Sequence, residues 1–358
     1  MTPLKLAVIG TGALGRHHAR ILSTLEGVKL EAVADLNSVG GQDVAARCQT
    51  RWVADYHEIL DQIDAAVIAV PTQAHWAVAK EFLARQIPVL IEKPLTADLE
   101  QARELVDMAR AQNTLLQVGH VERFNPAFLE ARPLIGRPKY IRSERFSPFS
   151  FRSTDIGVVH DVMIHDLDLV LSLARSEVID VQAFGVQLMG NNEDCVQARL
   201  TFADGCIADL AANRVSPSQK RALQVWSTTG CTDVDFAARE VHHYSPSDLL
   251  RYGTLPVDKA RQPGANLDNL KSEVFGTYLH VQTPSVPTSD ALTAELTAFL
   301  CCLRTGSRPL VGGEEALAAL TVADRILHAV SCHQWENRAD GLTGPALLRQ
   351  PKTLRKAG

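Results

Sequence analysis

Short apolar runs alternate with helix-like stretches along the first 120 residues, and this alternation limits the possible folds more than any other feature. The apolar runs lie at 5–10, 29–35, 65–71, 87–94 and 114–120. Runs of this kind are typical of strands that are covered on both faces. Strands that alternate with helices pair in parallel. The sequence therefore predicts an amino-terminal α/β domain built on a parallel sheet.

Beyond a helix at 157–172, the pattern changes to longer β-rich segments. These segments lie at 194–202, 206–213, 221–228 and 231–238. In the first two, apolar side chains occupy every second position, and residues 203–205 form a hairpin turn between them. The alternation predicts an antiparallel sheet in which each strand is buried on one face.

The remaining carboxyl-terminal segments are predicted to be a loop and two helices. Residues 246–288 contain several prolines and glycines and little periodicity, so we expect a loop there. A helix is predicted over 289–306, with Ser289 as its N-cap and Gly306 at its end. A last helix is predicted over 313–332.

Composition and charge exclude several classes of protein. The 358 residues suit two domains, and 46% hydrophobic and 22% charged residues are typical of a globular chain. A net charge of −5 with scattered Lys and Arg favours neither nucleic acid nor an acidic membrane as a partner. No apolar run approaches the roughly 18 residues of a membrane span, and the first residues do not resemble a signal peptide. Seven irregularly spaced cysteines without a CxxC motif predict a reduced, cytoplasmic protein without a zinc site.

A glycine-rich turn follows the first predicted strand and precedes the first helix. Gly10 permits the tight turn, Gly12 lets the backbone approach a pyrophosphate, and Gly15 allows close packing of helix on sheet. Asp35 ends the next strand, where a carboxylate accepts the ribose hydroxyls and repels a 2′-phosphate. The turn therefore predicts a bound dinucleotide, NAD rather than NADP. Other residues of the turn share this predicted contact: Thr11, Ala13 and Leu14.

Lys93 directly follows a buried strand, at the edge of the sheet where α/β proteins bind ligands. Pro94 favours an extended backbone at Lys93, which directs the side chain. We therefore predict a functional lysine beside the cofactor. Further cofactor contacts are predicted at the same edge, at Pro71, Thr72, His75, Glu92 and Gln117.

Three titratable residues lie in the apolar helix at 157–172. Asp161, His165 and Asp168 are four and three residues apart, which places them within roughly a 60° stripe of an α-helix. Buried charges are costly unless they are paired or used. His165 is the candidate base because imidazole titrates near neutral pH, and Asp161 can stabilise the imidazolium. His160 and His165 lie on different sides of the helix, so we predict no metal site.

The motifs together resemble the Gfo/Idh/MocA oxidoreductases. The stretches that carry the resemblance are "GTGALGRHH", "AVPTQAHW", "EKPLTADLEQARELV" and "HDVMIHDLDLVLSL". The resemblance implies an N-terminal Rossmann parallel sheet, followed by an α+β domain with a large open antiparallel sheet that forms a homodimer or homotetramer. It also implies that Lys93, Asp161 and His165 are the catalytic residues. We place the NAD-binding domain at 1–121 and the substrate-binding domain at 122–358, with the last helices free to pack back on the first domain.

Within that family, the stretches "QVGHVERFNPA" and "FADGCIADLAANRVS" look most like the UDP-N-acetylglucosamine 3-dehydrogenase group. That likeness implies oxidation of a sugar 3-hydroxyl to a ketone, ahead of a 3-amino sugar for lipid A. Candidate substrate contacts border the predicted site: Arg123, Asn125, Arg145, Arg152, Asn213 and Arg214. Forked arginine donors suit a diphosphate, although structural ion pairs explain such residues equally well.

Two other functions remain open from the sequence. The substrate could be myo-inositol or another free sugar or polyol, with the same chemistry. Alternatively, the chain could be a non-catalytic sensor that binds a dinucleotide without turnover. The presence of Lys93, Asp161 and His165 argues against the sensor, since a protein without catalysis has no use for them.

Overall fold

The computed structural model describes residues 2–151, 154–336 and 341–348. The chain forms two compact units, Met1–Phe124 with Ser289–Asp324 and Asn125–Thr288 with Arg325–Gly358. Segment 289–324 thus clusters with the amino-terminal residues although it follows the second sheet in the sequence.

The described residues form fourteen strands and eleven α-helices. The strands are β1 (Leu4–Ile9), β2 (Val28–Ala34), β3 (Arg51–Val53), β4 (Ala65–Ile68), β5 (Val89–Glu92), β6 (Leu116–Gly119), β7 (Pro138–Phe146), β8 (Val178–Val186), β9 (Cys195–Phe202), β10 (Ile207–Asn213), β11 (Lys220–Ser227), β12 (Cys231–Asp235), β13 (Glu240–Pro246) and β14 (Leu279–Gln282). The helices are α1 (Gly15–Leu22), α2 (Ser38–Arg47), α3 (His75–Ala84), α4 (Leu99–Ala111), α5 (Pro126–Ala131), α6 (Ile164–Ala174), α7 (Asp248–Tyr252), α8 (Pro256–Ala260), α9 (Leu267–Ser272), α10 (Ala291–Thr305) and α11 (Gly313–Cys332). Among these described residues, no helix has both the length and the apolar character that a membrane span needs.

The first unit is built on a six-stranded parallel sheet, as predicted. Its strand order is β3-β2-β1-β4-β5-β6, the order of the dinucleotide-binding Rossmann fold. The chain moves outward from β1 in both directions, so the strand order reverses between β1 and β4. Ligands bind at the carboxyl ends of the strands next to such a reversal.

Strand β1 shows why the apolar runs carry no alternation. Leu6 and Val8 pack on one side of the sheet in a cluster with α1, α2 and α10. Ala7 and Ile9 pack on the other side in a cluster with α3 and α4. Because both faces are covered at these four positions, residues 6–9 are all apolar.

The structure moves the predicted start of helix α10 by one residue. Asp290, not Ser289, is the N-cap. The Oδ2 of Asp290 accepts one hydrogen bond from the N–H of Thr293 at 3.0 Å and another from the Oγ1 of Thr293 at 2.7 Å. Both residue types are good caps, so the sequence alone does not separate neighbours. Gly306 ends the helix with a φ of 66°, as predicted.

The second unit is built on an eight-stranded sheet with the order β14-β13-β12-β11-β7-β10-β9-β8. The predicted hairpin joins β9 to β10, where the N–H of Phe202 donates to the carbonyl oxygen of Cys206 at 2.9 Å. The sheet is largely antiparallel, as predicted, but β7 and β10 run parallel to each other. The chain between them contains α6, β8 and β9, long enough for the crossover that parallel pairing needs. The sheet is therefore mixed and largely antiparallel.

The predicted loop at 246–288 is also wrong, because this segment contains α7, α8, α9 and strand β14. The side chains of Ser247 and Asn266 cap α7 and α9, and Pro256 begins α8. Each helix has only five or six residues, too few to show a helical period in the sequence.

Candidate active site

The glycine-rich turn joins β1 to α1. Gly10 has a φ of +90°, and a Cβ there would lie 2.6 Å from the carbonyl oxygen of Ala69. A Cβ at Gly15 would overlap the carbonyl oxygen of Gly10, so only glycine lets α1 approach the turn. At Gly12, no atom of the described residues other than Gly12 and its two neighbours in the chain lies within 4 Å of the Cβ position. This space beside the backbone fits the close approach of a pyrophosphate.

The first turn of α1 is suited to an anion. Leu14 holds the N-cap position, and no side chain in the described part of the chain caps this helix. Uncapped N–H groups and the helix dipole both favour negative charge at this end. Thr11, Ala13 and Leu14 therefore lie where the prediction placed them, in the turn before an uncapped helix.

Asp35 follows β2 and faces the glycine-rich turn. Its Oδ2 accepts hydrogen bonds from the N–H and Oγ1 of Thr11 at 2.6 and 2.7 Å, and its Oδ1 accepts one from the N–H of Asn37 at 2.8 Å. Burial raises the pKa of Asp35, but these hydrogen bonds outweigh burial and hold it below its ordinary value. An ionised carboxylate here fits the ribose hydroxyls of NAD.

Lys93 lies at the carboxyl end of β5, directly after Glu92, and its peptide bond to Pro94 is cis. The neighbouring strand β4 ends at the same edge, where Pro71 is exposed and Thr72 is half-buried. Lys93 is itself half-buried. The structure thus places these predicted residues together at one edge of the first sheet.

His75 lies inside the fold, with 1% of its surface exposed. Its Nδ1 lies 2.9 Å from the carbonyl oxygen of Pro94, and its Nε2 lies 3.0 Å from that of Val70. Burial lowers the pKa of His75 below its ordinary value. The ring therefore connects the loop after β4 to the loop after β5, and its predicted contact with the cofactor stays a prediction.

Gln117 and Arg123 both contact the segment that returns to the first unit. Gln117 is fully buried in β6, and its Nε2 donates to the carbonyl oxygen of Glu295 at 3.3 Å. Arg123 donates from Nη2 to the carbonyl oxygen of Leu310, also at 3.3 Å. These contacts connect β6 and the residues after it to segment 289–324. The predicted contacts of Gln117 with the cofactor and of Arg123 with the substrate stay predictions.

The stretch at 157–172 begins with a π-helical turn at Val159–Met163 and becomes α-helical only at α6. Asp161 therefore lies on a backbone that differs from the ideal α-helix assumed for the stripe, because hydrogen bonds in a π-helical turn join residues five apart, and the shared stripe stays a prediction. Asp161 and His165 are both partly exposed, whereas Asp168 is 2% exposed. Of the three residues, Asp161 and His165 are the two that a ligand can reach.

Two buried arginine–aspartate pairs hold this helix and the loop before it. Arg145 of β7 donates from Nε and Nη2 to the carboxylate of Asp166 at 2.9–3.1 Å. Arg214 donates from Nε to Asp194 at 2.7 Å and from Nη1 to the carbonyl oxygen of Ile156 at 2.8 Å. The prediction that these two arginines border a diphosphate is corrected, because their guanidinium groups are buried in ion pairs.

Glu193 supports the same helix, although no motif in the sequence points to this residue. Its Oε1 accepts a hydrogen bond from the N–H of Val159 at 3.1 Å, and its carbonyl oxygen accepts one from Val158 at 2.9 Å. A Cβ at Gly157 would overlap its carboxyl group. Burial raises the pKa of Glu193. No local pattern reveals this contact, because Glu193 lies 34 residues from Val159.

Three candidate substrate residues remain: Asn125, Asn213 and Arg152. Asn125 caps α5 through an Oδ1 that accepts a hydrogen bond from the N–H of Ala127 at 3.0 Å. Asn213 ends β10, and its Oδ1 accepts a hydrogen bond from the N–H of Val215 at 2.8 Å. Arg152 lies outside the described residues. Substrate contacts at these positions stay predictions.

Comparison with known proteins decides the family. Residues 4–120 match the GFO/IDH/MocA oxidoreductase family model with an NAD-binding Rossmann fold, and residues 129–232 match the C-terminal domain of the same family. The UDP-N-acetylglucosamine 3-dehydrogenase of Acidithiobacillus ferrooxidans is 34% identical over 324 residues, which are 89% of this chain and 96% of that protein. This chain belongs to the GFO/IDH/MocA oxidoreductase family.

Solved structures and a further relative are also similar to this chain. A solved structure of the Acidithiobacillus ferrooxidans enzyme matches with a TM-score of 0.80 at 32% identity, covering 92% of this chain and 98% of that one. The scyllo-inositol 2-dehydrogenase of Bacillus subtilis is 26% identical over 340 residues, 89% of this chain and 92% of that protein. Levoglucosan dehydrogenase in complex with NADH shares the fold, with a TM-score of 0.76 at 17% identity and coverage of 91% and 96%.

Membership confirms the predicted family, fold class, cofactor and enzyme class. The cofactor is NAD, and the family is one of dehydrogenases that act on the hydroxyl groups of sugars and polyols. The chain is accordingly an NAD-dependent oxidoreductase acting on CH–OH groups. The glycine-rich turn and Asp35 fit this cofactor, as their geometry above indicates.

Proposed function

We propose that this enzyme oxidises the 3-hydroxyl of UDP-N-acetylglucosamine to a ketone. The observation that carries the proposal is the 34% identity with the enzyme named for this reaction, over 89% of this chain and 96% of its relative. The relative named for scyllo-inositol is more distant, at 26% identity. The product is a 3-keto sugar that a transaminase can convert to a 3-amino sugar for lipid A.

In this proposal, the first unit binds NAD through the turn from Gly10 to Gly15, and Asp35 accepts the ribose hydroxyls. When bound, NAD supplies the hydride acceptor. Pro71, Thr72 and Glu92 belong to the edge that carries Lys93, and we assign them to the cofactor as well.

The protein's own residues handle the hydroxyl group. An imidazole nitrogen of His165 removes the proton from the substrate hydroxyl, since imidazole is basic near neutral pH. The Nζ of Lys93 donates a hydrogen bond to the same oxygen and stabilises the negative charge that develops there. The carboxylate of Asp161 stabilises the imidazolium of His165. Arg123, Asn125 and Arg152 are assigned to the nucleotide sugar.

The substrate assignment is tested by measuring NADH formation with UDP-N-acetylglucosamine, N-acetylglucosamine and myo-inositol. We expect the highest kcat/KM with the nucleotide sugar and a ketone at carbon 3 of the product. A higher kcat/KM with myo-inositol would contradict the proposed substrate and favour a polyol dehydrogenase. Tight NAD binding without turnover of any of these compounds would favour the non-catalytic sensor.

The catalytic roles are tested by the Lys93→Met and His165→Ala variants. Loss of a general base or of a charge-stabilising donor lowers kcat by about 100-fold or more, while the affinity for NAD persists. The controls are Lys29→Met and His57→Ala, whose side chains are 58% and 49% exposed. Near-native kcat in Lys93→Met and His165→Ala would contradict both roles.

We also propose a homodimer or homotetramer that forms through the open face of the second sheet, in the cytoplasm. On this face, Trp226 of β11 lies opposite Tyr140 of β7 and is 52% exposed. Light scattering after gel filtration should give a multiple of the 39.1 kDa chain, and Trp226→Glu should lower that mass. Val39→Glu, at a residue 79% exposed on α2, is the matched control. A native mass of one chain would contradict the assembly.

A further inference from the structure

Two buried histidines contact the residues on either side of Lys93. The Nε2 of His18 lies 2.6 Å from Oε1 of Glu92, which directly precedes the lysine. His75 contacts the carbonyl oxygen of Pro94, which directly follows it, at 2.9 Å. The two histidines are 0% and 1% exposed. Lys93 therefore extends from a backbone segment that is held on both sides.

The pair of His18 and Glu92 joins two parts of the first unit that have different roles in the proposed mechanism. One is the dinucleotide turn with α1, and the other is the end of β5 that carries Lys93. His18 lies on α1, three residues after Gly15 of the dinucleotide turn, and Glu92 is the last residue of β5. A Cβ at Gly119 of the neighbouring strand β6 would lie 3.1 Å from Oε2 of Glu92. The carboxylate is thus enclosed by the imidazole and by a strand that leaves room for it.

Stability alone does not require this pair. Two apolar side chains of similar size often fill such a space with equal or greater stability, because they need no desolvation of charge. Removal of the imidazole alone takes a hydrogen-bond partner from a buried carboxylate, which favours movement of that carboxylate toward water. Movement of Glu92 displaces the next residue, and a displacement of about 1 Å at a reacting group can cost roughly 100-fold in rate.

We infer that His18 is a positioning residue for Lys93, acting through the carboxylate of Glu92. The imidazole holds the end of β5 in the direction from which Nζ of Lys93 reaches the substrate oxygen, while His75 holds the segment that follows. This inference rests on the proposed function of Lys93.

The first test compares three variants of α1. In His18→Leu, we expect kcat to fall by about tenfold to a hundredfold, with KM for both substrates and the Kd for NAD within about threefold of native. In His18→Gln, the amide nitrogen can still donate to Glu92, so most of kcat should return. His17→Leu changes the adjacent, exposed histidine and should have native kinetics.

A double variant separates positioning from stability. His18→Leu with Glu92→Leu replaces the pair by apolar side chains, so the thermal midpoint should be native-like or higher. Positioning predicts that kcat measured at saturating NAD stays low in the double variant, because the carboxylate that held the strand end is gone. Recovery of native kcat in the double variant would overturn the inference. If His18→Leu does not fold, the double variant carries the test.

The position of Lys93 can also be tested without catalysis, so that a failure of this inference is distinguished from a failure of the proposed function. Acetylation of Lys93 by acetic anhydride, followed by mass spectrometry with Lys29 as the internal reference, reports the surroundings of Nζ. We expect the relative rate to differ at least about threefold between native protein and the double variant, since reactivity follows the environment of the amine. Unchanged acetylation would overturn the inference. Failure of the proposed function would instead appear as native enzyme that forms no NADH from UDP-N-acetylglucosamine.

Discussion

Asp35 is held in its functional orientation by the protein itself. Thr11 donates two hydrogen bonds to one carboxylate oxygen, and Asn37 donates one to the other. Trp52 also donates from Nε1 to the backbone oxygen of Asp35 at 3.0 Å. With its pKa below the ordinary value, the carboxylate is charged at neutral pH and disfavours a 2′-phosphate.

Replacing this carboxylate should change the choice of cofactor. Leu36, which is 92% exposed, offers a neighbouring position for a positive charge. In Asp35→Ser with Leu36→Arg, we expect the ratio of kcat/KM for NAD to that for NADP to fall by about 100-fold, because charged hydrogen bonds to the ribose are lost and a phosphate partner is gained. Asp43→Ser on α2 is the control. An unchanged ratio would show that Asp35 does not select the cofactor.

His120 is a second residue whose charge state depends on its surroundings. It is 1% exposed, and burial, together with the charges of Lys93 and Arg123, lowers its pKa to about 3. The folded protein therefore keeps His120 neutral over a pH range in which the unfolded chain protonates it. Since the unfolded state then binds more protons, this residue makes the folded state less stable as the pH falls from about 6.5 toward 3.

The effect of His120 on stability can be isolated by comparing pH values. Between pH 6.5 and 5.0, the native protein should lose about 1.6 kcal/mol more unfolding free energy than His120→Gln. Urea unfolding at both pH values measures the difference. Leu36→Gln, at a position that is 92% exposed and carries no titrating group, should retain the native pH dependence. Equal losses in native protein and His120→Gln would contradict a buried neutral imidazole.

Among the elements, the parallel strands and the hairpin at 203–205 could be predicted because their patterns are local. The uninterrupted apolar runs of the first sheet and the alternating runs of the second sheet can each be recognised within a few neighbouring residues. The π-helical turn at Val159–Met163 could not be predicted. It lies against Glu193 and the Asp194–Arg214 pair, and these partners come from a distant part of the chain.

The ion pair between Arg145 of β7 and Asp166 of α6 should contribute strongly to the stability of the protein. In Arg145→Met, the buried Asp166 loses its partner, and we expect the free energy of unfolding to fall by about 3–5 kcal/mol. Arg145→Met with Asp166→Leu should recover most of that loss, because no buried charge remains. Arg47→Met, which removes an exposed pair with Asp43, should change stability by less than about 1 kcal/mol. Urea unfolding of all four proteins measures these differences, and a loss in the double variant as large as in Arg145→Met would contradict the account.

At the scale of the whole molecule, the candidate site was predictable where motifs are contiguous. The turn from Gly10 to Gly15 and the strand end at Lys93 lie where their motifs placed them. The return of Ser289–Asp324 to the first unit depends on contacts such as that of Gln117 with the backbone of Glu295. Such contacts join residues far apart in the sequence, so no local sequence pattern predicts them.

The most direct test of the central claim is the transfer of deuterium from carbon 3 of UDP-N-acetylglucosamine to NAD. Purified enzyme is incubated with NAD and the sugar deuterated at that carbon, and the reduced cofactor is analysed by mass spectrometry. The account predicts NADH that carries the deuterium, and Lys93→Met and His165→Ala should form it far more slowly. NADH without deuterium, or no reduced cofactor from the native enzyme, would contradict the claim.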